Sequence, residues 1–457
     1  LGPACLSAHA VALSRLVLSL AQGGDFLSAL VGSCPVDCQQ MLPFQALLKL
    51  LERCCSLVQA ASEYPGRLLD LGRLRLLEAE VLLQCGSLPT AAKASLGDAE
   101  PSAQAAMDAW RRHLGLEALA GVARMPASRT EAAIAASPLG AASAPTTPLA
   151  LLRELSDAAH LLELLELPGI AAEALAMALA VSRGQPEASV VLLYRLASAV
   201  SSAAGQASDD ADDAEISAVA GTWWSAAEAA RARLVEASGG GAAKALSVAS
   251  EAQRLAALAS LPEAVVDSLG VASLLPNVLA SARQAVADAQ GAAGSAAALQ
   301  QQLATAETFW ALAEWSRSWQ DSCPLQRSGG SALTAQCAAL RCWTLLRGGG
   351  QPVAPGPQST QTGQPQSPPT AMMVLQQWPA MRTTLLQLRV SHQAGILYER
   401  FGSPHLADVC FQSGLLLMSQ KLCGDRRWQL RFLCGRARLA MAGHPTWSNN
   451  NNSNNNN

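Results

Sequence analysis

Gly395, Tyr398, Gly402, Ala407, Phe411 and Gly414 stand at spacings that leave a chain few ways to fold. Gly395 and Tyr398 are three apart, and so share one face of a helix. Ala407, Phe411 and Gly414 follow the i, i+4, i+7 pattern of a second helical face. Between them, Gly402-Ser403-Pro404 carries the signature of a helix end followed by a helix start, since glycine tolerates the left-handed cap and proline suits the first helical turn. Small residues on facing helices permit close approach, and the aromatic rings fill what remains. The pattern predicts a tightly packed antiparallel helix pair.

The rest of the chain is biased the same way. Only 15% of its 457 residues are charged, against about 25% in ordinary soluble domains. The difference is made up largely by Ala, Ser, Gly and Gln, and alanine is the best helix former. Aromatic residues, which favour strands, amount to 4%. Phe44, Leu47, Leu48 and Leu51 form one apolar face, and Leu71, Leu74, Leu77 and Val81 another. Residues 151–167 and 170–181 read as a helix pair turning at Pro168-Gly169, and 187–204 as a further helix. The expected fold class is all-α: an irregular superhelix of stacked antiparallel helix pairs with low-complexity linkers.

The expected organisation runs in order along the chain. Helical repeats occupy 4–125, and 126–148 is an Ala/Ser/Pro linker. Helical repeats with acidic and Gly-rich loops follow over 149–345. A Pro/Gln/Gly linker covers 346–371, a helical unit 372–445, and an Asn-rich tail 446–457. The first residue is not Met and the last stretch is a run of Asn, so a piece of something longer is expected.

Helix pairs of this kind, about 34 residues long with small and aromatic residues at fixed places, resemble tetratricopeptide repeats. The unit built on Gly395 meets all five of the usual marks. A unit turning at Gly86 places Ala79 and Ala91 at small positions, with Leu82 in place of the aromatic. One turning at Gly169 keeps Leu165 and Ala174 but departs at Leu162 and Ala178.

The segment 385–417 also resembles the helical regions of separases, which commonly show a helix ending in Gly-(Ile/Val)-Leu-x-Glu, a glycine turn, an Ala-led helix and then Gly-Leu or Gly-Lys with an apolar tail. Gly395, Ile396, Leu397, Glu399, Gly402, Ala407, Gly414 and Leu415 carry the resemblance, which covers about 75 residues well by repeat positions. It implies the regulatory arm of a cysteine endopeptidase that cleaves cohesin in sister chromatid separation. It also implies a securin-like inhibitory partner, and residence in cytoplasm and nucleus. The protease domain of that family is α/β and caspase-like; no strands of that kind read from this chain, so no catalytic residue carries over. A stand-alone peptide-binding adaptor is the alternative.

A net charge of −3 argues against direct nucleic-acid binding, which needs a basic surface. Prolines 138, 145 and 148 break the long uncharged stretch at 132–152, so no membrane helix is expected. The twelve cysteines are scattered and read as free thiols. Cys34 and Cys38 lack a second pair for zinc. His392 and His405 lie nearest Cys410, but on helices rather than after strands, and read as packing or surface residues. Asp209, Asp210, Asp212 and Asp213 miss the EF-hand spacing, because Glu215 stands where glycine is needed, and read as a solvated loop. Glu163 and Glu166 read as a solvated face. No phosphate-binding loop is present, since Gly239-Gly240-Gly241 lacks both strand and Ser/Thr. No cofactor is expected. Trp310, Trp315, Trp319 and Trp343 read as core filling. The last helix is basic: Lys421, Arg426, Arg427, Arg431, Arg436 and Arg438 face one acid, Asp425. Arg426, Arg427, Arg431, Arg436 and Arg438 are the candidate residues for an acidic partner.

Overall fold

The computed structural model describes residues 41–61, 66–84, 99–137, 148–165, 167–182, 185–204, 210–237, 402–420 and 426–442. It adds most positions of 387–399 and isolated ones at 11–17, 64 and 250–265. Among them every regular element is helical, with no strand. The helices are α1 (Met41–Ala60), α2 (Arg67–Gln84), α3 (Ala99–Leu114), α4 (Ala127–Ala136), α5 (Pro148–Leu164), α6 (Pro168–Val181), α7 (Pro186–Ala204), α8 (Asp210–Ala237), α9 (Pro404–Gln420) and α10 (Arg426–Met441). Two single 3₁₀ turns, Glu117–Leu119 and Val122–Arg124, join α3 to α4. The Pro/Gln/Gly linker at 346–371, the Asn tail, the tryptophans at 310, 315, 319 and 343, Cys34, Cys38, Gly86 and Gly239–Gly241 lie outside the described residues.

The chain divides into two compact units, Leu1–Ala232 with Leu422–Asp425, and Arg233–Lys421 with Arg426–Asn457. In the first, consecutive helices pair: α1 with α2, α2 with α3, α5 with α6, and α6 with α7. Leu51, Cys55 and Val58 of α1 and Leu74 and Val81 of α2 are fully buried in one cluster. That cluster takes up Leu47, Leu48 and Leu51 of one apolar face read from the sequence and Leu71, Leu74, Leu77 and Val81 of the other. Helix α6 is the centre of the unit. It packs against α3, α5, α7 and both 3₁₀ turns, and it is buried from Pro168 to Ala180 apart from Gly169. Apart from Glu173 the helix is apolar on every side, and such a helix has no solvent face to offer.

The contact between α2 and α3 turns on one notch. A Cβ added at Gly72 would lie 2.2 Å from the Trp110 indole nitrogen, so only glycine lets that ring in. The ring is 1% exposed, and its Nε1–H donates to the Leu69 carbonyl at 3.2 Å. A glycine inside a Leu-rich helix weakens it by about 1 kcal/mol relative to alanine; here the indole occupies the space obtained.

Three local readings are corrected. Residues 127–136, inside the span read as linker, form α4: the run is alanine-rich, Pro126 precedes its first turn, and Pro138 follows its end. The acidic stretch at 210–213, read as loop, opens α8. Carboxylates are favoured in a first helical turn, where the backbone dipole is positive. Pro168 and Gly169 begin α6 instead of forming the turn, and Leu167 caps it; proline lacks only an N–H that the first turn leaves unbonded.

Candidate functional site

The C-terminal unit brings together the residues whose spacing defined the repeat. Phe411 of α9 is fully buried and lies against two glycines. A Cβ at Gly395 would stand 2.3 Å from its ring, and one at Gly435 of α10 would stand 2.7 Å away. Gly414 repeats the device one turn on, where a Cβ would come within 2.2 Å of Phe432, also fully buried. Ala407 is fully buried and Tyr398 half-buried. Gly402 has φ +69°. The Ser403 N–H donates to the Tyr398 carbonyl at 2.8 Å and the Gly402 N–H to Glu399 at 3.2 Å, the paired bonds of a Schellman cap. Gly435 lies outside the helix pair read from the sequence and was not foreseen.

Around Phe411 the rings close into a cluster. His392 lies 6.1 Å from Phe411, 5.9 Å from Trp428 and 5.7 Å from Phe432 between ring centroids. His392 therefore packs as a ring among rings, as expected of a helix-packing histidine. His405 is exposed and Cys410 buried.

The arginines of α10 divide. Arg436 donates to the buried Asp408 at 2.7 Å, and Gln412 donates to the other oxygen of that carboxylate at 2.6 Å. Arg438 reaches both oxygens of Glu399, at 3.2 and 3.1 Å, and this pairing raises its pKa. Both are thus engaged within the chain. Arg431 is exposed and lies over Trp428, with its guanidinium carbon 4.7 Å from the ring centre. Arg426 and Arg427 open the helix, and their side chains, like Lys421 and Asp425, fall outside the described residues.

In the N-terminal unit the polar groups tie helices together. Arg73 of α2 holds Glu154 of α5 through two bonds of 2.9 and 2.6 Å. Glu173 of α6 accepts the Gly121 N–H at 2.8 Å and lies 3.6 Å from Arg111 of α3; burial pushes its pKa up. Arg195 of α7 is buried, donates to Ser156 at 2.8 Å, and lies 3.3 Å from His160 Nδ1 and 3.8 Å from Glu163. Glu163, read as solvated, thus belongs to a largely buried ion network between α5 and α7. Burial and the nearby Arg73 lower the His113 pKa.

None of these arrangements has the form of a nucleophile activated by a base. Cys54 and Cys55 are buried, and burial pushes the Cys55 thiol up to about 11, away from the thiolate that reacts. Among the described residues no group of three or more His, Cys, Asp or Glu could hold a metal ion, and no helix is long and apolar enough to cross a membrane. No protein-family model matches the chain, and no match is found among curated proteins.

Proposed function

We propose that this chain is a non-catalytic helical scaffold that binds another protein, and that it serves as the regulatory arm of a separase-like cysteine endopeptidase. The observation that carries the scaffold half is the glycine–aromatic interlock of Phe411 with Gly395 and Gly435, and of Phe432 with Gly414. It fixes helix against helix. The polar clusters elsewhere likewise join helices. The separase half is supported by the resemblance of 385–417, whose Gly395, Gly402, Ala407 and Gly414 stand at a close approach, a left-handed cap or a buried contact.

The coding sequence on either side of this chain tests the reading. A downstream α/β domain, with a glycine-flanked histidine and a later cysteine after a strand, is the expected result. An open reading frame with no such domain overturns the separase reading and leaves a stand-alone repeat adaptor.

A further inference from the structure

Helix α10 is apolar on two opposite faces, and its core packing uses only one. Trp428, Phe432, Gly435 and Leu439 point inward and are buried. Leu430, Leu433, Cys434, Ala437, Ala440 and Met441 recur at i, i+3, i+4, i+7, i+10 and i+11, a single stripe along the opposite side. All six are exposed: Leu430 at 60%, Leu433 at 45% and Met441 at 80%. Isolated exposed leucines are ordinary, but a continuous apolar stripe three turns long marks an interaction surface.

We propose that this outer face of α10 docks an amphipathic helix of another protein, with Asp and Glu bordering that helix's apolar stripe. The proposal rests on the scaffold reading and adds to it the docking face and the partner's chemistry. The form of the surface favours a helix. Cys434, Ala437 and Ala440 leave its C-terminal two turns shallow, with the longer Leu430 and Leu433 at one end and Met441 closing the other. A partner helix can therefore lie close, at the roughly 8–10 Å axis separation of packed helices. The charge of the surface favours acid. Helix α10 contains no carboxylate, and of its arginines Arg436 and Arg438 are paired with Asp408 and Glu399. Arg431 and Arg438 border the stripe on one side by helical register, and both are exposed. Arg438 is balanced by Glu399, whereas Arg431 lies over the face of Trp428.

The same facts disfavour two other occupants. A second copy docked α10 to α10 would bring the two exposed Arg431 side chains to faces with no carboxylate on either helix to meet them, which disfavours that pairing. A membrane-surface helix commonly carries Trp or Phe beside Leu on its apolar face; here Trp428 and Phe432 are turned inward, and the vesicle arm of the test below separates that occupant.

The test uses the whole chain and two labelled peptides of about 18 residues, past the length at which isolated helices are marginal. Both carry a Leu/Ala stripe, bordered by Glu in one and by Lys in the other. Binding is followed by fluorescence anisotropy, with circular dichroism as the check on folding. The Glu-bordered peptide is expected to bind, and to weaken as salt rises. Leu433→Asp is expected to weaken it at least about tenfold. Leu50→Asp, at an exposed leucine of the N-terminal unit, leaves it unchanged. Arg431→Glu weakens the Glu-bordered peptide and improves the Lys-bordered one. Equal binding of the two peptides, indifference to Leu433→Asp, or binding of neither overturns the proposal. So does a dimer in sedimentation that Leu433→Asp dissolves, or capture by phosphatidylglycerol vesicles without peptide binding. A coding sequence that continues into a protease domain while neither peptide binds would remove the docking face and leave the scaffold reading standing.

Discussion

The two units solve the same packing problem with different residues. The C-terminal unit sets aromatic rings into glycine slots, so each contact pairs one large residue with one or two small ones: Phe411 with Gly395 and Gly435, Phe432 with Gly414. Around α6, the N-terminal unit packs alanine and leucine on all sides and joins its helices with buried ions, Arg111 with Glu173 and Arg195 with Ser156, His160 and Glu163. Among the described residues of that unit, the Gly72–Trp110 notch repeats the other unit's device. The first solution is specific in its residue types. The second is specific only in three dimensions, because alanine fits against almost any neighbour.

If that contrast is right, the largest losses should come from emptying the slots. Phe411→Ala and Trp110→Ala each remove a fully enclosed ring, and each should cost about 3–5 kcal/mol, read as lost hydrogen-exchange protection in α9–α10 and in α2–α3 respectively. Alanine substitutions on α6, such as Leu175→Ala, should cost about 2–5 kcal/mol by the same readout, since its surroundings are equally full.

Filling the slots should hurt nearly as much. Gly395→Ala, Gly414→Ala and Gly72→Ala each drive a methyl group into a buried ring, at about 1–3 kcal/mol. At an exposed helical site the same change would stabilise by roughly 1 kcal/mol. A neutral or stabilising result at all three would remove the distinction between the units.

The ion pairs should grade with burial. Arg436→Ala leaves the buried Asp408 with Gln412 alone and should cost about 1–3 kcal/mol. Arg438→Ala breaks an exposed pair and should cost under about 1 kcal/mol. Thermal melting of the two variants side by side orders them.

The smallest effect is a slope. Burial raises the Glu173 pKa, so the folded state holds its proton to higher pH than the unfolded chain. In the interval above the ordinary glutamate value of 4.5, the unfolded state ionises first. The contribution of Glu173 to stability therefore falls as pH rises through that interval and levels off above the folded value. Glu173→Gln should flatten this part of the stability–pH curve, measured by urea denaturation at stepped pH.

The same contrast explains what could be read from the sequence. The pair around Gly402 was legible because glycine, proline and aromatics each carry a conformational or steric meaning, and the helical spacing of Ala407, Phe411 and Gly414 left one face to choose. The helices themselves were legible from alanine content and leucine periodicity. Helix α4 was not, because Ala127–Ala136 shares its composition with the Ala/Ser/Pro stretch that follows. The Arg195 network could not be read at all, since its partners lie 35 and 39 residues away with no fixed spacing. Gly435 and Gly72 did leave a signal: each is a glycine inside an otherwise good helix, which implies a close neighbour, but not which ring it is.

The central claim is that ring and glycine specify one another in the C-terminal unit, and a double-mutant cycle at Gly395 and Phe411 tests it most directly. Gly395→Ala should destabilise the unit in the presence of Phe411 and much less when Phe411 is replaced by leucine, a coupling of at least about 1 kcal/mol. Losses that simply add would mean that the glycine is not there for the ring, and would contradict the account.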